Sequence, residues 1–551
     1  MAGTVPASQW LKIYEAAPAF TAVYGDNPAV RAERAGLVRQ AAAIHAKRFG
    51  DGPLRVFRCP GRINLRGMHV DTHGGYLNLM THQREILVAV RAEEEGRVVI
   101  ANTEAAFDEV QFDLDSLCTD GLGGGWSEFI MQPRVRAQIE ASRGHWSHYI
   151  RGAFLSVMHR FPGARLRGMQ GVVNSDIPRG ASLSSSAALC ICLVKAILAL
   201  NGLELPDVEL AQAARDAEWY TGSRCGLSDQ AAMVLGGVGE MVNVAIDPDR
   251  PDFSSARRVA FPDSLAVLVI NSYTERSLSG VAGVDYTRNR FAYGMALEIL
   301  RQEMSRQGLP PDAIKKARTL STLSPVEFEQ LGGAQYILGL VQHVPEQMTI
   351  DELQARYDLP GLDALYARYF ASAPAELRPD TVALRGPLLF GIAESERARV
   401  FPDALVENDY ARIGQLMTVG HDGDRRVWRG IEPPDVGDAE VERWIARGES
   451  LERLPGVYGA STPVLDALVD AALDAGALGA SLTGAGMAGT VLALCHKDDA
   501  SKIAHAARAY LQTSAYQKAA QRACPLTKDE LNRGAVVNHP TAAPGELEFS
   551  T

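Results

Sequence analysis

Serines and small residues are concentrated between Asp176 and Ala188, where the sequence reads DIPRGASLSSSAA. An Ala/Leu-rich run follows and predicts a helix that starts at these serines. The unpaired N–H groups and the positive dipole end of a helix start favour phosphate binding. The alternative is an ordinary helix cap, in which the serines only satisfy helix amides. If phosphate binds here, the candidate residues are Gly180, Ser182, Ser184, Ser185 and Ser186.

A second segment, PGRINLRGMHVDTHGG between Pro60 and Gly75, carries charged groups in a glycine-flanked loop. Arg62, His69 and Asp71 can offer hydrogen bonds to a polyhydroxylated ligand. One alternative is a plain surface turn. Another is a metal site that uses His69, Asp71 and His73, but alternate residues of one loop supply too few ligands, and no partner is visible elsewhere.

A third segment, GASLTGAGMAG from Gly479 to Gly489, contains G-x-G-x-x-G. A dinucleotide fingerprint requires a strand before the glycines and a helix directly after them. Here TVLALCHK follows, which predicts a strand, so the glycines should join two strands. This disfavours a dehydrogenase and leaves a loop that closes over a bound nucleotide, with Gly484 and Gly486 as the candidate residues.

Strands and helices intermix along the chain in an α+β pattern rather than in regular βαβ repeats. Strand-like alternation in LRVFRCPGRINL is broken by Pro60-Gly61, and REILVAVRAEE, RVVIANTE, VGEMVNVAI and LAVLVINS predict further strands. An apolar hairpin is expected around residues 477–495. Helices are predicted over residues 1–50 in part, 146–160, 184–200, 206–221, 286–307, 463–475 and 499–514.

The chain has 551 residues, which is too long for one compact core. We predict two domains, residues 1–262 and residues 263–551, with a helical insertion near residues 308–390. The net charge of -11 argues against a general nucleic-acid-binding protein, because phosphate neutralisation needs a basic face.

Seven cysteines are scattered along the sequence without metal-ligand spacing. A buried, reduced set fits this pattern best and predicts a cytoplasmic protein. The N-terminal sequence lacks the basic start and apolar run of a signal peptide, and no apolar stretch is long enough for a membrane span.

Taken in their order along the chain, the three segments together resemble the three motifs of the GHMP kinases, and the segment from Pro60 to Gly75 resembles the galactokinase branch in particular. Cys225-Gly-Leu-Ser-Asp-Gln230 is similar to the family's C-G-x-x-D-Q, Asn271-Ser272 opens its mid-chain motif, and Tyr286 precedes its arginine-bearing helix. The region from Gly414 to His421, and then Tyr458 to Asp466, resembles its C-terminal helices. The resemblance implies a two-domain α+β fold with the active site between the domains.

The resemblance also implies transfer of the ATP γ-phosphoryl group to a sugar C1 hydroxyl. Asp229 would be the catalytic carboxylate, and Arg62 would stabilise both that carboxylate and the transferring phosphoryl group. ATP and Mg²⁺ would be the cofactors and a monosaccharide the substrate, without a nucleic-acid, membrane or protein partner. The implied sugar contacts are His69, Asp71, Gly226 and Tyr286.

Three residues depart from the family pattern. Met68 stands where galactokinases usually have a glutamate that binds the sugar's outer hydroxyl, and this resembles plant galacturonate kinases; the substrate could be a uronic acid, a pentose or a C6-modified hexose. Ser182 replaces a usual glycine of the phosphate loop. The expected Mg²⁺ glutamate has no clean match: Glu218 is nearest but is displaced by one position, and Ser186 would be the hydroxyl ligand.

Two other functions stay open at this point. A non-catalytic galactokinase-like sensor would bind sugar and nucleotide without turnover, but the intact serine segment, Arg62 and Asp229 favour an enzyme. A GHMP kinase for mevalonate or homoserine is the other, and the C-G-x-x-D-Q and H-x-D residues favour the sugar branch.

Overall fold

In a computed structural model of the chain, the described residues are 4–549 except 14, 179, 276–280, 371–372 and 430–431. The side chains of residues 281–283, 285 and 286 are outside this description. The strands are β1 Val5–Pro6, β2 Pro53–Arg66, β3 Tyr76–Glu93, β4 Arg97–Asn102, β5 Val110–Asp113, β6 Gly168–Ser175, β7 Glu240–Ala245, β8 Arg257–Ala260, β9 Leu265–Asn271, β10 Gln347–Thr349, β11 Thr381–Ala383, β12 Gly479–Thr483, β13 Thr490–His496, β14 Ala535–Val537 and β15 Gly545–Glu546.

Helices connect these strands and cover both sheets. They are α1 Ala7–Trp10, α2 Pro18–Tyr24, α3 Pro28–Phe49, α4 Trp126–Met131, α5 Pro133–Ala141, α6 Ser147–Arg160, α7 Ser185–Leu200, α8 Asp207–Trp219, α9 Ser228–Leu235, α10 Val281–Arg306, α11 Pro311–Lys316, α12 Ala334–Gln342, α13 Ile350–Arg356, α14 Leu362–Phe370, α15 Arg385–Val406, α16 Tyr410–Asp422, α17 Asp438–Arg447, α18 Pro463–Asp474, α19 Ala500–Leu511, α20 Ser514–Ala519 and α21 Lys528–Arg533.

The larger sheet has the order β1-β2-β3-β6-β4-β5, with β15 on β2 and the pair β7-β8 on β3. Its pairs are antiparallel except for β4 with β6. The apolar helix α7 packs against β2 and β3, where it buries residues on nearly every side, as expected for a central helix. This packing carries the start of α7 to the middle of β2.

The alternation of β2 is interrupted at Pro60-Gly61 as predicted, but the strand does not end there and runs from Pro53 to Arg66. The register with β3 shifts between Pro60 and Arg62, so a bulge absorbs the proline instead of ending the strand. A Cβ at Gly61 would lie 3.1 Å from the carbonyl oxygen of Leu183, which leaves little room for a side chain. The bulge therefore lets β2 approach the segment before α7 closely.

The smaller sheet has the order β12-β13-β9-β14, all antiparallel. Helices α18 and α19 cover it and share an apolar cluster with its strands. After β14 the chain returns to the larger sheet, where β15 pairs with β2. Strands β1–β8 thus precede the smaller sheet in sequence, while the boundary after residue 262 stays a prediction.

The predicted insertion at residues 308–390 contains α11–α14 and the short β10-β11 pair. Among the described helices, none combines the length and apolarity that a membrane span requires. All seven cysteines are free, but only five are buried: Cys225 is half-buried and Cys524 is exposed, so the expectation of a wholly buried set is wrong.

Candidate active site

Arg62 and Asp229 meet at the centre of the candidate site. The Arg62 Nε and Nη2 atoms lie 2.8 and 2.7 Å from Asp229 Oδ1, and Arg62 Nη1 donates to the carbonyl oxygen of Ser182 at 2.6 Å. The other carboxylate oxygen of Asp229 accepts a 2.5 Å hydrogen bond from Ser184 Oγ. About a quarter of the Asp229 side chain, 24%, is exposed, so its carboxylate is accessible to a ligand, whereas Arg62 is buried.

The serine loop, residues 180–186, leads into helix α7. Ser182 and Ser184 have φ values of 55° and 60°, in the left-handed region that non-glycine residues seldom occupy. Ser184 is the N-cap of α7, yet its side chain caps no helix amide and bonds Asp229 instead. The ordinary-cap interpretation therefore does not fit Ser184, and strained backbone of this kind is typical of functional loops.

Glu218 on α8 reaches the same helix start. Its Oε1 accepts from Ser186 Oγ at 2.6 Å, and its Oε2 accepts from Gln230 Nε2 at 2.9 Å. Burial, followed by the nearby charge of Asp229, raises the Glu218 pKa to about 7, although its hydrogen bonds oppose the rise. Glu218, which lies one position away from where the family pattern has its Mg²⁺ glutamate, is thus in direct contact with Ser186.

The glycine loop, residues 484–489, joins β12 to β13 as predicted, which excludes the strand–helix context of a dinucleotide fingerprint. Its Gly484 lies against the serine loop: a Cβ there would be 3.1 Å from Ser182 Cβ and 3.5 Å from Arg62 Nη2. Thr490, just after the loop, donates its hydroxyl to the Ala181 carbonyl oxygen. Gly486 instead lies against Ala460, where a Cβ would collide with a carbonyl oxygen.

The H-x-D loop, residues 67–75, follows β2. Asp71 Oδ2 accepts from Ser228 Oγ at 2.8 Å, and a Cβ on Gly226 would collide with the same carboxylate. Asp71 and Gly226 therefore lie side by side, next to the residue that precedes Asp229 in α9. From the insertion, Ser321 N–H donates to the Gly74 carbonyl oxygen at 3.0 Å, so this region helps to hold the loop.

His69 is in the loop, but its side chain is only 1% exposed. Its ring stacks on Tyr458 with a centroid separation of 4.3 Å, and its Nε2 lies 3.5 Å from Asp424 Oδ1. The residue also has a φ of 63°. The structure therefore holds His69 against the C-terminal half of the chain instead of presenting it at an open surface.

Met68 and Tyr286 are the two remaining candidates from the sequence. The Met68 side chain is 1% exposed and belongs to the apolar cluster of the smaller sheet, so it does not line an open cleft. Tyr286 falls within α10, but its side chain is outside the described residues.

Sequence reasoning missed the buried charged groups that hold the H-x-D loop in place, chiefly Arg66, Glu394 and Asp424. Glu394 Oε1 accepts from the N–H groups of Gly67 and Met68 at 2.7 and 3.1 Å. The sequence feature that could have identified Glu394 is its place directly after the apolar run PLLFGIA of α15, because a charged residue amid buried residues rarely lacks a specific partner.

Three family models match the chain. The galactokinase galactose-binding signature matches residues 43–92, the GHMP kinases N terminal domain residues 148–237, and the GHMP kinases C terminal model residues 403–513. The first range contains Arg62 and the H-x-D loop, the second contains the serine loop and Asp229, and the third contains the glycine loop.

Known galactokinases are similar to the chain over most of its length. A galactokinase of Chloroflexus aggregans is 27% identical over 454 residues, which cover 82% of this chain and 86% of that protein. A galactokinase of Schizosaccharomyces pombe is 24% identical over 510 residues, which cover 88% and 90%. A galactokinase of Roseiflexus sp. is 32% identical over a shorter stretch of 255 residues, 46% of this chain and 57% of that protein.

A solved structure has the same fold. The crystal structure of Lactococcus lactis galactokinase complexed with galactose matches with a TM-score of 0.58 at 21% identity, covering 92% of this chain and 98% of that one.

Proposed function

We propose that this chain, which belongs to the GHMP kinase superfamily, transfers the γ-phosphoryl group of ATP to the anomeric C1 hydroxyl of a galactose-like monosaccharide. Its galactokinase relatives and its fold support a sugar kinase that uses ATP. The observation that carries the finer proposal is the contact of Arg62, Ser184 and Asp229 at the start of α7, with Asp71 close by.

In the proposed reaction, the C1 oxygen forms a bond to the γ-phosphorus while the bond to the bridging oxygen of ADP breaks. The sugar hydroxyl proton passes to Asp229, which also orients the hydroxyl for attack. Arg62, which pairs with Asp229, would neutralise negative charge on the transferring group, and the amides at the start of α7 would favour the phosphates. Such a reaction depends mainly on positioning and charge neutralisation.

Ser186 and Glu218 are the proposed holders of Mg²⁺. A hydroxyl and a carboxylate oxygen lie 2.6 Å apart, and hard oxygen donors suit this ion. The remaining ligands of such an ion would come from the ATP phosphates and water. When bound, Mg²⁺ would neutralise charge on the phosphate oxygens.

In this proposal the site lies between residues 1–262, which supply Arg62, the serine loop and Asp229, and residues 263–551, which supply the glycine loop with Gly484 and Gly486. Asp71 and Gly226 would contact the sugar, and Tyr286 stays a predicted contact. Neither nucleic acid nor a protein partner is part of the proposal. The free cysteines fit a reducing compartment, and the proposed location is the cytoplasm.

The preferred sugar stays a prediction. The hypothesis of a uronic acid or C6-modified substrate depends on Met68 facing the sugar, but the Met68 side chain is buried in an apolar cluster. Its burial removes the geometric support for that hypothesis without favouring a particular sugar.

A coupled ADP-release assay tests the function, with Mg-ATP and galactose, galacturonate, arabinose, fucose, glucuronate or N-acetylgalactosamine. We expect sugar-dependent turnover that falls by about 1000-fold in Asp229→Ala, because the group that receives the proton is lost. Asp252→Ala, an exposed aspartate in a turn after β7, is the control and should keep wild-type activity. Phosphorus NMR of the product identifies the phosphorylated hydroxyl.

Three outcomes would contradict the proposal. If Asp229→Ala keeps kcat within tenfold of wild type, Asp229 is not the proton acceptor. If no sugar stimulates ADP release while sugar or ATP still binds in calorimetry, the chain is a sensor. Phosphorylation of mevalonate or homoserine instead of sugars would place it elsewhere in the superfamily.

A further inference from the structure

Glu394, in the middle of α15, is a fully buried carboxylate that binds the backbone of the H-x-D loop. Its Oε1 accepts from two successive amides, Gly67 N–H at 2.7 Å and Met68 N–H at 3.1 Å. Its Oε2 accepts from Arg397 Nε at 2.7 Å and Arg66 Nη1 at 3.4 Å. Both oxygens are thus occupied by donors, and half of these belong to the loop backbone.

The carboxylate is ionised in this environment. Burial raises the Glu394 pKa, but the charges of Arg66 and Arg397 and the hydrogen bonds outweigh burial and lower it. Removal of one member of a buried charged network leaves the other charges without compensation. Glu394, Arg66 and Arg397 therefore depend on one another for charge compensation, and Glu394 connects this charged group to the backbone of the loop.

Arg66 extends the network to other elements. Its Nη1 donates to the carbonyl oxygens of Leu416 and Met417 in α16 at 3.2 and 3.1 Å, and its Nη2 donates to Ser481 Oγ in β12 at 3.1 Å. The end of β2 is therefore tied to α15, α16 and the smaller sheet at one point. Arg397 adds a bond to the Leu454 carbonyl oxygen at 2.6 Å.

Met68 is held by both of its ends. Glu394 binds its amide, while its side chain enters the apolar cluster that contains Leu268 and Leu482 of the smaller sheet. The next residue, His69, stacks on Tyr458. Two residues later the loop delivers Asp71 to its place beside Gly226 and Ser228.

We propose that Glu394 is a positioning residue for sugar recognition, which sets the path of the H-x-D loop and thereby the place of Asp71. The inference rests on the proposed function in so far as it concerns sugar binding. The effect of Glu394 on the position of the loop does not depend on that function. Glu394 lies beneath the loop backbone and acts through Gly67 and Met68, so its loss should weaken sugar binding more than ATP binding or turnover.

The same helix provides a matched control. Glu396 is 4% exposed and forms an ion pair with Arg399 at 2.7 Å, with the same three-residue spacing as Glu394 and Arg397. No hydrogen bond joins Glu396 to the described residues of the H-x-D loop. Glu396→Gln therefore removes an equivalent charge from α15 without touching the loop.

Steady-state kinetics supply the first test. For Glu394→Gln we expect the sugar KM to rise about tenfold, as for loss of a hydrogen bond to a charged group, with kcat and the ATP KM within about threefold of wild type. Glu396→Gln should leave all three unchanged. Glu394→Asp keeps the charge but has a shorter side chain, and it should also raise the sugar KM. This variant can replace Glu394→Gln if Glu394→Gln does not fold.

Hydrogen exchange supplies a second readout that needs no turnover. The amides of Gly67 and Met68 should exchange faster in Glu394→Gln than in wild type or Glu396→Gln. Unchanged exchange in this loop would overturn the inference, and so would an unchanged sugar KM. The inference would also be overturned if Glu394→Gln lowered kcat and raised both KM values by similar factors, and if Glu396→Gln had the same effect. If the wild type phosphorylates no sugar, the proposed function fails while loop exchange and calorimetric sugar affinity still decide the role of Glu394.

Discussion

The two ends of the candidate active site are built in different ways. At the end where we propose that phosphate binds, here called the phosphate end, the Asp229 carboxylate contacts Arg62 and Ser184, and 24% of the Asp229 side chain is exposed. At the H-x-D loop, the supporting groups are buried: Glu394 and Asp424 are 0% and 1% exposed. At the phosphate end the Asp229 carboxylate can contact a substrate directly, whereas Glu394 and Asp424 at the loop end can act only through the residues they hold. Substitutions at the phosphate end should therefore lower turnover, whereas substitutions at the loop end should lower stability or sugar affinity.

The largest effect is expected for Met68→Glu, at the buried end. This change places a second carboxylate in an apolar cluster, close to the Glu394 carboxylate that binds the same residue's amide. We expect it to lower the free energy of unfolding by about 3–5 kcal/mol, as for an uncompensated buried charge. Urea unfolding measures the change, and Met68→Leu, which nearly conserves volume, should cost less than about 1.5 kcal/mol.

The same variant decides where residue 68 points. If it faced the sugar, a glutamate there would leave stability unchanged and raise kcat/KM for galactose over galacturonate. That result would remove the distinction between a buried and an exposed end of the site.

A smaller effect, confined to turnover, is expected for Glu218→Gln at the phosphate end. The amide can still accept from Ser186 but supplies no negative charge for Mg²⁺. We expect kcat to fall by about 10- to 100-fold and the Mg²⁺ titration midpoint to rise, as for loss of an interaction with a charged group. Glu209→Gln, an exposed residue of the same helix, is the control. A wild-type midpoint in Glu218→Gln would separate Glu218 from the metal and leave it a structural role.

Much of the phosphate end could be predicted from the sequence because its residues stand in short polar motifs that leave a local pattern. Arg62 meets Asp229 as expected, and the predicted bounds of the long helices α6, α7 and α18 agree with the structure within a few residues. The bulge that lets β2 continue past Pro60 could not be predicted, since a bulge between long-range partners is not visible in local propensity.

The loop end could not be predicted in the same way. Glu394 lies more than 300 positions from the amides it binds, and its helix has no motif around it. The position of Met68 in its motif predicts a side chain that faces the sugar. Its burial depends instead on packing against a sheet formed near the other end of the chain. Tertiary contacts of this kind override a local interpretation.

The smallest effects should come from the serine loop, where two residues share one backbone conformation but differ in contacts. Ser182 and Ser184 both have a left-handed φ, which glycine adopts without strain. Ser182→Gly should keep kcat within about threefold of wild type, because it relieves strain without removing a bond to Asp229. Ser184→Gly should lower kcat about tenfold, because its hydroxyl donates to the Asp229 carboxylate. Ser184→Ala, which keeps the Cβ, should match Ser184→Gly if the hydroxyl decides the effect. A strong loss in Ser182→Gly would instead mean that backbone strain contributes to turnover, and the phosphate end would then depend on fixed shape as much as the loop end does.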